Sequence, residues 1–264
     1  MSSTARLSPT ESLVSVSKVS RNTRIIDGRE AFIHEVASSA ENVISNAIAD
    51  HGVAHVVLTG GTMGVAVLTG LGTGEGARID WTKVHFWWGD ERFVPANSSD
   101  RNALQAREAF LNAAQVPNEN IHEMPASDSG LTLDEAADTY AQSLAVFTES
   151  GSSLPRFDLT FLGIGPDSHV ASLFPDHSDA VATGNVIAVR NSPKPPPERV
   201  SLTYSALNTS ERIWVVACGA DKAEAVAAMF ANTDSLSVPS SCIHGRVETV
   251  LWADVAASSA LNTE

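Results

Sequence analysis

The run Leu159–Ile164, LTFLGI, constrains the fold of this chain more than any other stretch. It is short, apolar and bounded by Pro155 and Gly165, so it reads as a strand buried on both faces. Strands of that kind belong to parallel sheets covered by helices on both faces, which predicts an α/β fold. Gly163 and Gly165 permit a tight turn directly after the strand. Asp167 and Ser168 then stand as N-cap candidates for a short helix over 170–173, ended by Pro175. A strand, a glycine turn and a helix start in that order expose backbone N–H groups at the carboxyl edge of the sheet, where open α/β folds bind their ligands. His169 is placed at that edge.

The rest of the chain supplies more units of the same kind. A first strand is expected over 23–26, followed by a helix over 29–50 whose apolar Phe32, Val36, Ala40, Val43, Ala47 and Ile48 form one stripe before Gly52. A strand over 56–58 runs into Gly60 and Gly61 and a helix over 62–71. WTKVHFWWG at 81–89 reads as a strand, and Asp90, Glu91 and Arg92 follow it at the same sheet edge. Helices are expected over about 102–114 and 132–150, strands over 185–190, 199–207 (with its turn), 212–218 and 248–252, and a last helix over 221–230. These elements form one domain, residues 21–255, between a Ser/Thr-rich N-terminal tail over 1–20 and a frayed end over 256–264. No internal repeat or linker divides it.

Composition narrows the function. With 43% hydrophobic residues and a formal net charge of -14, the chain can bury a sizeable core but presents an acidic surface, which argues against nucleic acid and anionic membrane as partners. A small anionic substrate remains compatible if basic residues cluster locally. No apolar run reaches membrane-spanning length and the first residues lack a signal-peptide core, so a cytoplasmic protein is expected. Cys218 and Cys242 are not spaced as a zinc motif and read as reduced thiols. His51 and His55 are separated by the helix-breaking Gly52 and have no evident third ligand, so no metal site is expected.

Each candidate site residue has a plainer reading beside it. Asp167 reads equally as a helix cap, and His169 as a packing histidine. Backbone N–H groups of Gly60 and Gly61, with Thr59 or Thr62, form an anion cradle or an ordinary strand-to-helix turn. No Lys follows as in a P-loop, and Ser168 breaks the third glycine of a dinucleotide fingerprint, which disfavours a nicotinamide oxidoreductase. Arg101 or Asn102 can face the same cleft. In SPKPPPER at 192–199 the prolines either present Lys194 and Arg199 to an anion or form a rigid spacer. Lys222 opposes a helix dipole, as a surface residue or as a ligand for an anion. The five tryptophans lie in or beside strands and read as core.

Taken together, TGGTMG at 59–64, WGDERFVP at 88–95, DRNALQAREAFL at 100–111, LGIGPDSHVASLFP at 162–175, SPKPPPERVSLT at 192–203 and GADKAEAV at 219–226 resemble the 6-phosphogluconolactonase family. The resemblance spans nearly all the chain after the tail. It implies a modified Rossmann-like fold shared with glucosamine-6-phosphate deaminases and ribose-5-phosphate isomerases. It also implies hydrolysis of 6-phosphogluconolactone in the oxidative pentose phosphate pathway, without metal or organic cofactor. That chemistry asks for a base, an oxyanion site and a grip on phosphate. His169 is expected as the base, with Asp167 or Asp90 orienting it. Backbone N–H groups near Gly163 or Gly61, or a nearby Arg, would meet the developing oxyanion, and Gly165 belongs to the substrate-binding set. Arg92, Arg101, Lys194 and Arg199, with Gly60, Gly61 and Thr62, would hold the sugar phosphate as a monomer or weak dimer. The alternatives are a sugar-phosphate isomerase or deaminase using Asp90, or a non-catalytic sugar-phosphate sensor. Ser168 stands where that family carries glycine, so a left-handed backbone there is expected to be strained.

Overall fold

In the computed structural model the described residues are 21–73, 79–148, 152–178, 182–232 and 234–261. The tail read over 1–20, and the ends of the helix read to 150 and of the C-terminus over 262–264, lie outside them. Six strands form one all-parallel sheet: β1 (Arg21–Ile25), β2 (Ala54–Leu58), β3 (Val84–Trp88), β5 (Leu159–Gly163), β8 (Arg212–Ala217) and β9 (Glu248–Ala253), in the order β1-β9-β8-β5-β2-β3. The predicted buried strand β5 is central, between β2 and β8. Val56 pairs with Leu159 on one side of it and Leu162 with Val215 on the other. From β2 the chain moves outward to β3, and from β5 it moves the opposite way through β8 to β9. The carboxyl ends of β2 and β5 are therefore the point at which the winding reverses, and their loops diverge into a crevice there.

Helices α1 (Arg29–His51), α2 (Gly61–Thr73), α4 (Leu133–Val146) and α6 (Ala223–Ala231) supply the layers around the strands. The α1 stripe holds for Phe32, Val36, Ala40 and Ala47, which are buried, with Ile44 added to it, while Val43 and Ile48 are only half-buried. α4 is opened by a capping box in which the Thr132 hydroxyl accepts from Glu135 N and the Glu135 carboxylate accepts from Thr132 N. Tyr140 of α4 locks onto β3: its hydroxyl accepts from Trp88 N at 2.8 Å and donates to Trp88 O at 3.1 Å. Trp87, Trp88 and Trp252 are among the largest fully buried side chains, and Trp214 is nearly so, as core placement requires. No described helix is long and apolar enough to cross a membrane.

A second, antiparallel sheet was not legible in the sequence. β4 (Asp90–Arg92) pairs with β7 (Arg199–Leu202), which pairs with β6 (Val186–Val189). Asp90, Glu91 and Arg92, read as three charges following a strand at the sheet edge, are themselves a strand whose partner comes from far along the chain. Gly89 joins the sheets, donating to Leu58 O and accepting from Leu202 N. α3 (Asn102–Ala106) continues into a π-helical turn over 107–111, and α5 (Tyr204–Leu207) follows β7. Two further expectations are corrected. No helix forms over 170–173, where turns and an isolated Val170–Leu173 bridge stand instead. Residues 254–261 turn back onto the body with Ala257 fully buried, where a frayed end was expected.

At the amino ends of the strands lies a cluster of imidazoles. His55 of β2 stacks on its register partner His85 of β3 at 5.0 Å, and His85 Nδ1 is 2.9 Å from His122 Nε2. Trp87 Nε1 donates to His55 Nδ1, and His122 stacks on the Trp87 indole at 3.8 Å. Cys218 and Cys242 are both free thiols.

Candidate active site

The β2–α2 turn forms one wall of the crevice. Gly61 has φ +80°, and a Cβ on Gly60 would lie 1.8 Å from Asn102 Oδ1, so both positions require glycine. Their bareness brings α3 hard against the turn and leaves the amino end of α2, a positive dipole end, open to the crevice. Thr59 Oγ1 accepts from Gly163 N at 3.2 Å and ties this turn to the one after β5.

The opposite wall is the turn after β5. Ser168 N donates to Gly165 O, and Gly165 N donates to His169 O, closing a tight loop around Pro166 and Asp167. A Cβ on Gly165 would lie 2.0 Å from His169 Nδ1, so glycine here is the space the imidazole occupies. Ser168 takes φ +67° and Ala171 φ +49°. The strain expected at Ser168 is therefore present, at a cost on the order of 1 kcal/mol for each such residue. The turn aims the His169 ring back over Gly165, where Nδ1 lies 2.6 Å from Asp167 Oδ1. That contact requires the proton on Nδ1 and leaves Nε2 as the acceptor nitrogen. Asp167 thus binds His169 and does not cap a helix. Phe174 covers the ring at 4.8 Å between centroids.

Strands β4 and β7 form the floor. Asp90 is buried: Ser172 Oγ donates to its Oδ2 at 2.7 Å, Asn102 Nδ2 donates to its backbone carbonyl, and Arg199 Nη1 lies 4.0 Å from Oδ2. Arg199 spends its other donors on the polyproline segment, Nε on Pro196 O and Nη2 on Lys194 O and Pro195 O. Glu91 points the other way into the core. Its carboxylate accepts from Arg92 N, Asn102 N and Ala103 N, so it caps α3 from the side.

A cavity of about 180 Å³ joins these walls, lined by Gly60, Gly61, Asp90, Arg92, Gly163, Gly165, His169, Lys194 and Arg199 from the predicted set. Thr62 lines the two broader clefts that adjoin it, of about 700 and 750 Å³. Arg101 does not reach the cavity. It is 2% exposed, beside Glu91 at 3.6 Å, and donates to the carbonyls of Met124, Pro125 and Arg92. Of the pair left open by the sequence, Asn102 faces the cleft. Lys222 lines the cavity as well. Ser172 had no local signal, since only the tertiary turn brings it under Asp90.

Electrostatics follow from this packing. Burial pulls the His169 imidazole below its ordinary range, and Lys194 adds to that, against the opposing pull of Asp167. Burial pushes Asp167 up, but bonds from His169 and Lys194 outweigh it and leave the carboxyl below the usual range. A neutral imidazole beside an ionised carboxylate is a base held in one tautomer. Burial raises the Cys218 thiol to about 11, which leaves it inert beside the cleft. Among the described residues no group of three or more His, Cys, Asp or Glu is arranged to hold a metal ion.

Residues 27–252 match the family described as glucosamine-6-phosphate isomerases/6-phosphogluconolactonase. The 6-phosphogluconolactonase of Mycobacterium leprae is 40% identical over 237 residues, covering 89% of this chain and 95% of its own. That of Streptomyces coelicolor is 41% identical over 240 residues, covering 88% and 92%. Among solved structures, a 6-phosphogluconolactonase from Thermotoga maritima superimposes with a TM-score of 0.79 at 26% identity, covering 89% of this chain and 100% of that one.

Proposed function

Since the chain belongs to the glucosamine-6-phosphate isomerase/6-phosphogluconolactonase family, we propose that it hydrolyses 6-phospho-D-glucono-1,5-lactone to 6-phosphogluconate, within the oxidative pentose phosphate pathway, with His169 as general base. The observation that carries this reading is the pair of contacts at one ring. Nδ1 is bonded to Asp167 at 2.6 Å, and the ring lines the cavity with Nε2 left to take a proton.

Nε2 removes a proton from a water as its oxygen bonds to the lactone C1. The carbonyl electrons move to oxygen, and as they return the C1–ring-oxygen bond breaks. The proton on Nε2 passes to the departing ring oxygen, which becomes the C5 hydroxyl, and the new carboxylic acid ionises to solvent. General-base help of this sort supplies roughly 10²–10⁴-fold. The developing oxyanion is met by side-chain cations on the cavity wall, Arg92 foremost. Gly163 N is already bonded to Thr59 Oγ1 and Gly165 N to His169 O, so neither N–H of that turn is left for the oxyanion, while Gly61 N belongs to the turn that takes the phosphate. The phosphate takes the Gly60–Thr62 turn at the amino end of α2, with Lys222 beside it. Arg199 reaches the substrate through Nη1 alone, its other donors being fixed on the carbonyls of Lys194, Pro195 and Pro196.

Proton transfer by Asp90, the isomerase alternative, is disfavoured by the carboxylate's bonds: it accepts from Ser172 and lies beside Arg199. The test is hydrolysis of freshly generated 6-phosphogluconolactone, corrected for spontaneous opening, by wild type and His169→Ala. A loss of about 10²-fold or more is expected in the variant. Full activity in the variant removes His169 from the role, and wild-type activity no greater than background removes the function.

A further inference from the structure

The position of Lys194 does not suit a phosphate ligand. Its Nζ is 3.1 Å from Asp167 Oδ1 and 3.2 Å from His169 Nδ1, while His169 Nδ1 is itself 2.6 Å from the same Oδ1. One carboxylate oxygen therefore accepts from both nitrogens. Nδ1 carries a proton and so does Nζ, so the 3.2 Å approach between them is a meeting of two donors, with no bond between them. We infer that Lys194 is a positioning residue for the base: through the carboxylate it shares with His169, it limits the basicity of the imidazole.

The segment that carries Lys194 is built to hold it there. Ser192 N donates to Pro197 O, and the Ser192 hydroxyl donates to Lys194 O and accepts from Lys194 N, which closes the loop on itself. The buried Arg199 then clasps the carbonyls of Lys194, Pro195 and Pro196. With its main chain fixed at both sides, the side chain reaches back over the loop between Gly165 and His169. The polyproline stretch thus serves to aim one ammonium at the pair, and Arg199 serves to anchor the stretch.

The chemistry needs such a brake. A carboxylate alone at hydrogen-bond distance favours imidazolium, which would leave the base protonated at mildly acidic pH. An ammonium on the same oxygen weakens that pull, and it repels the charge that appears when Nε2 takes the proton. The imidazolium formed in the first step is then a stronger acid toward the ring oxygen in the second. The other charged groups around the ring are Asp90, which favours the charged form, and Arg92, Arg199 and Lys222 across the cavity. Among the described residues, Lys194 is the cation in direct contact with the pair.

This inference rests on His169 being the base, and the experiment separates the two. The His169 imidazole is followed by NMR through a pH titration of the full chain, its signal identified by its loss in His169→Gln. Wild type, Lys194→Met and Lys194→Arg are compared, and kcat and KM are measured over the same pH range. Lys194 is 41% exposed, so neither variant threatens the fold. In Lys194→Met the imidazole is expected to titrate at higher pH. The ratio of kcat/KM at pH 8 to that at pH 5.5 is expected to grow by roughly fivefold, with KM within about twofold. Lys194→Arg keeps the charge and restores both. A KM raised at every pH with an unmoved imidazole overturns the inference and returns Lys194 to the phosphate. An imidazole that shifts while the rate profile does not follow refutes His169 as the base, and the role of Lys194 with it.

Discussion

Asp167 Oδ1 lies 2.6 Å from His169 Nδ1 across a turn that has room for neither a Cβ on residue 165 nor a helix after it. The two residues are neighbours but one in sequence, and in a strand or helix their side chains would not meet in this way. The left-handed Ser168 between them folds the chain so that they do. Orientation of the imidazole is thus stored in backbone strain and in an absent side chain, and each of these can be tested.

Asp167→Asn keeps the shape of the pair but lets the amide donate to Nδ1, which inverts the tautomer. We expect kcat to fall by about 10²–10³-fold with little change in KM, read from background-corrected lactone hydrolysis. A KM effect alone would place Asp167 on the substrate instead.

Gly165→Ala puts a methyl 2.0 Å from His169 Nδ1 and 2.4 Å from Asp167 Oδ1, contacts that only movement of the pair can relieve. The expected result is a loss of activity of at least about 10²-fold in a protein whose circular dichroism and melting remain near wild type. Wild-type activity would mean that the imidazole does not need its seat over Gly165.

The rate should follow the neutral form of His169. Burial and Lys194 hold the imidazole below its ordinary range, so kcat/KM is expected to be flat through pH 7 and to fall as pH drops through a midpoint below about 6.5. A midpoint above that value would show that the pull of Asp167 dominates.

The imidazole cluster far from the cavity predicts acid lability. Burial and like neighbours hold His55 at about 3 and His122 at about 4, while the unfolded chain takes up protons near 6.5. Between those values the unfolded state binds more protons, so stability is complete above about pH 6.5 and is lost as pH falls toward 4. A drop in Tm of roughly 5 °C or more between pH 7 and pH 5 is expected by calorimetry, and His55→Asn, which keeps an acceptor for Trp87, should flatten it.

Arg101 separates structure from recognition. Replacing it by Met removes the cation 3.6 Å from the buried carboxylate of Glu91, and we expect a loss of about 3–5 kcal/mol by denaturant unfolding. KM for the lactone should stay within about twofold in protein that remains folded. A raised KM at unchanged stability would return Arg101 to the substrate.

Local chemistry and distant contact divide the account of this protein. Strands β2, β5, β8 and β9 could be read from short apolar runs, because a run without polar alternation survives only where both faces are covered. The α1 stripe, the glycine turns and the nearness of Asp167 to His169 were equally local, and the motifs in their order carried the family resemblance. The antiparallel sheet was hidden, because β4 and β7 find each other across the length of the chain and three-residue β4 is too short to announce itself, although β6 and β7 were each read as strands. The choice between Arg101 and Asn102 was hidden too. It turns on Glu91, whose carboxylate caps α3 and in doing so draws Arg101 inward and turns Asn102 toward Asp90. Residue type and spacing determined which groups could do chemistry at this sheet edge. Only tertiary packing decided which of the cations face the cavity and which, like Arg101 and most of Arg199, spend their donors on the protein, since a buried guanidinium must be satisfied by whatever surrounds it.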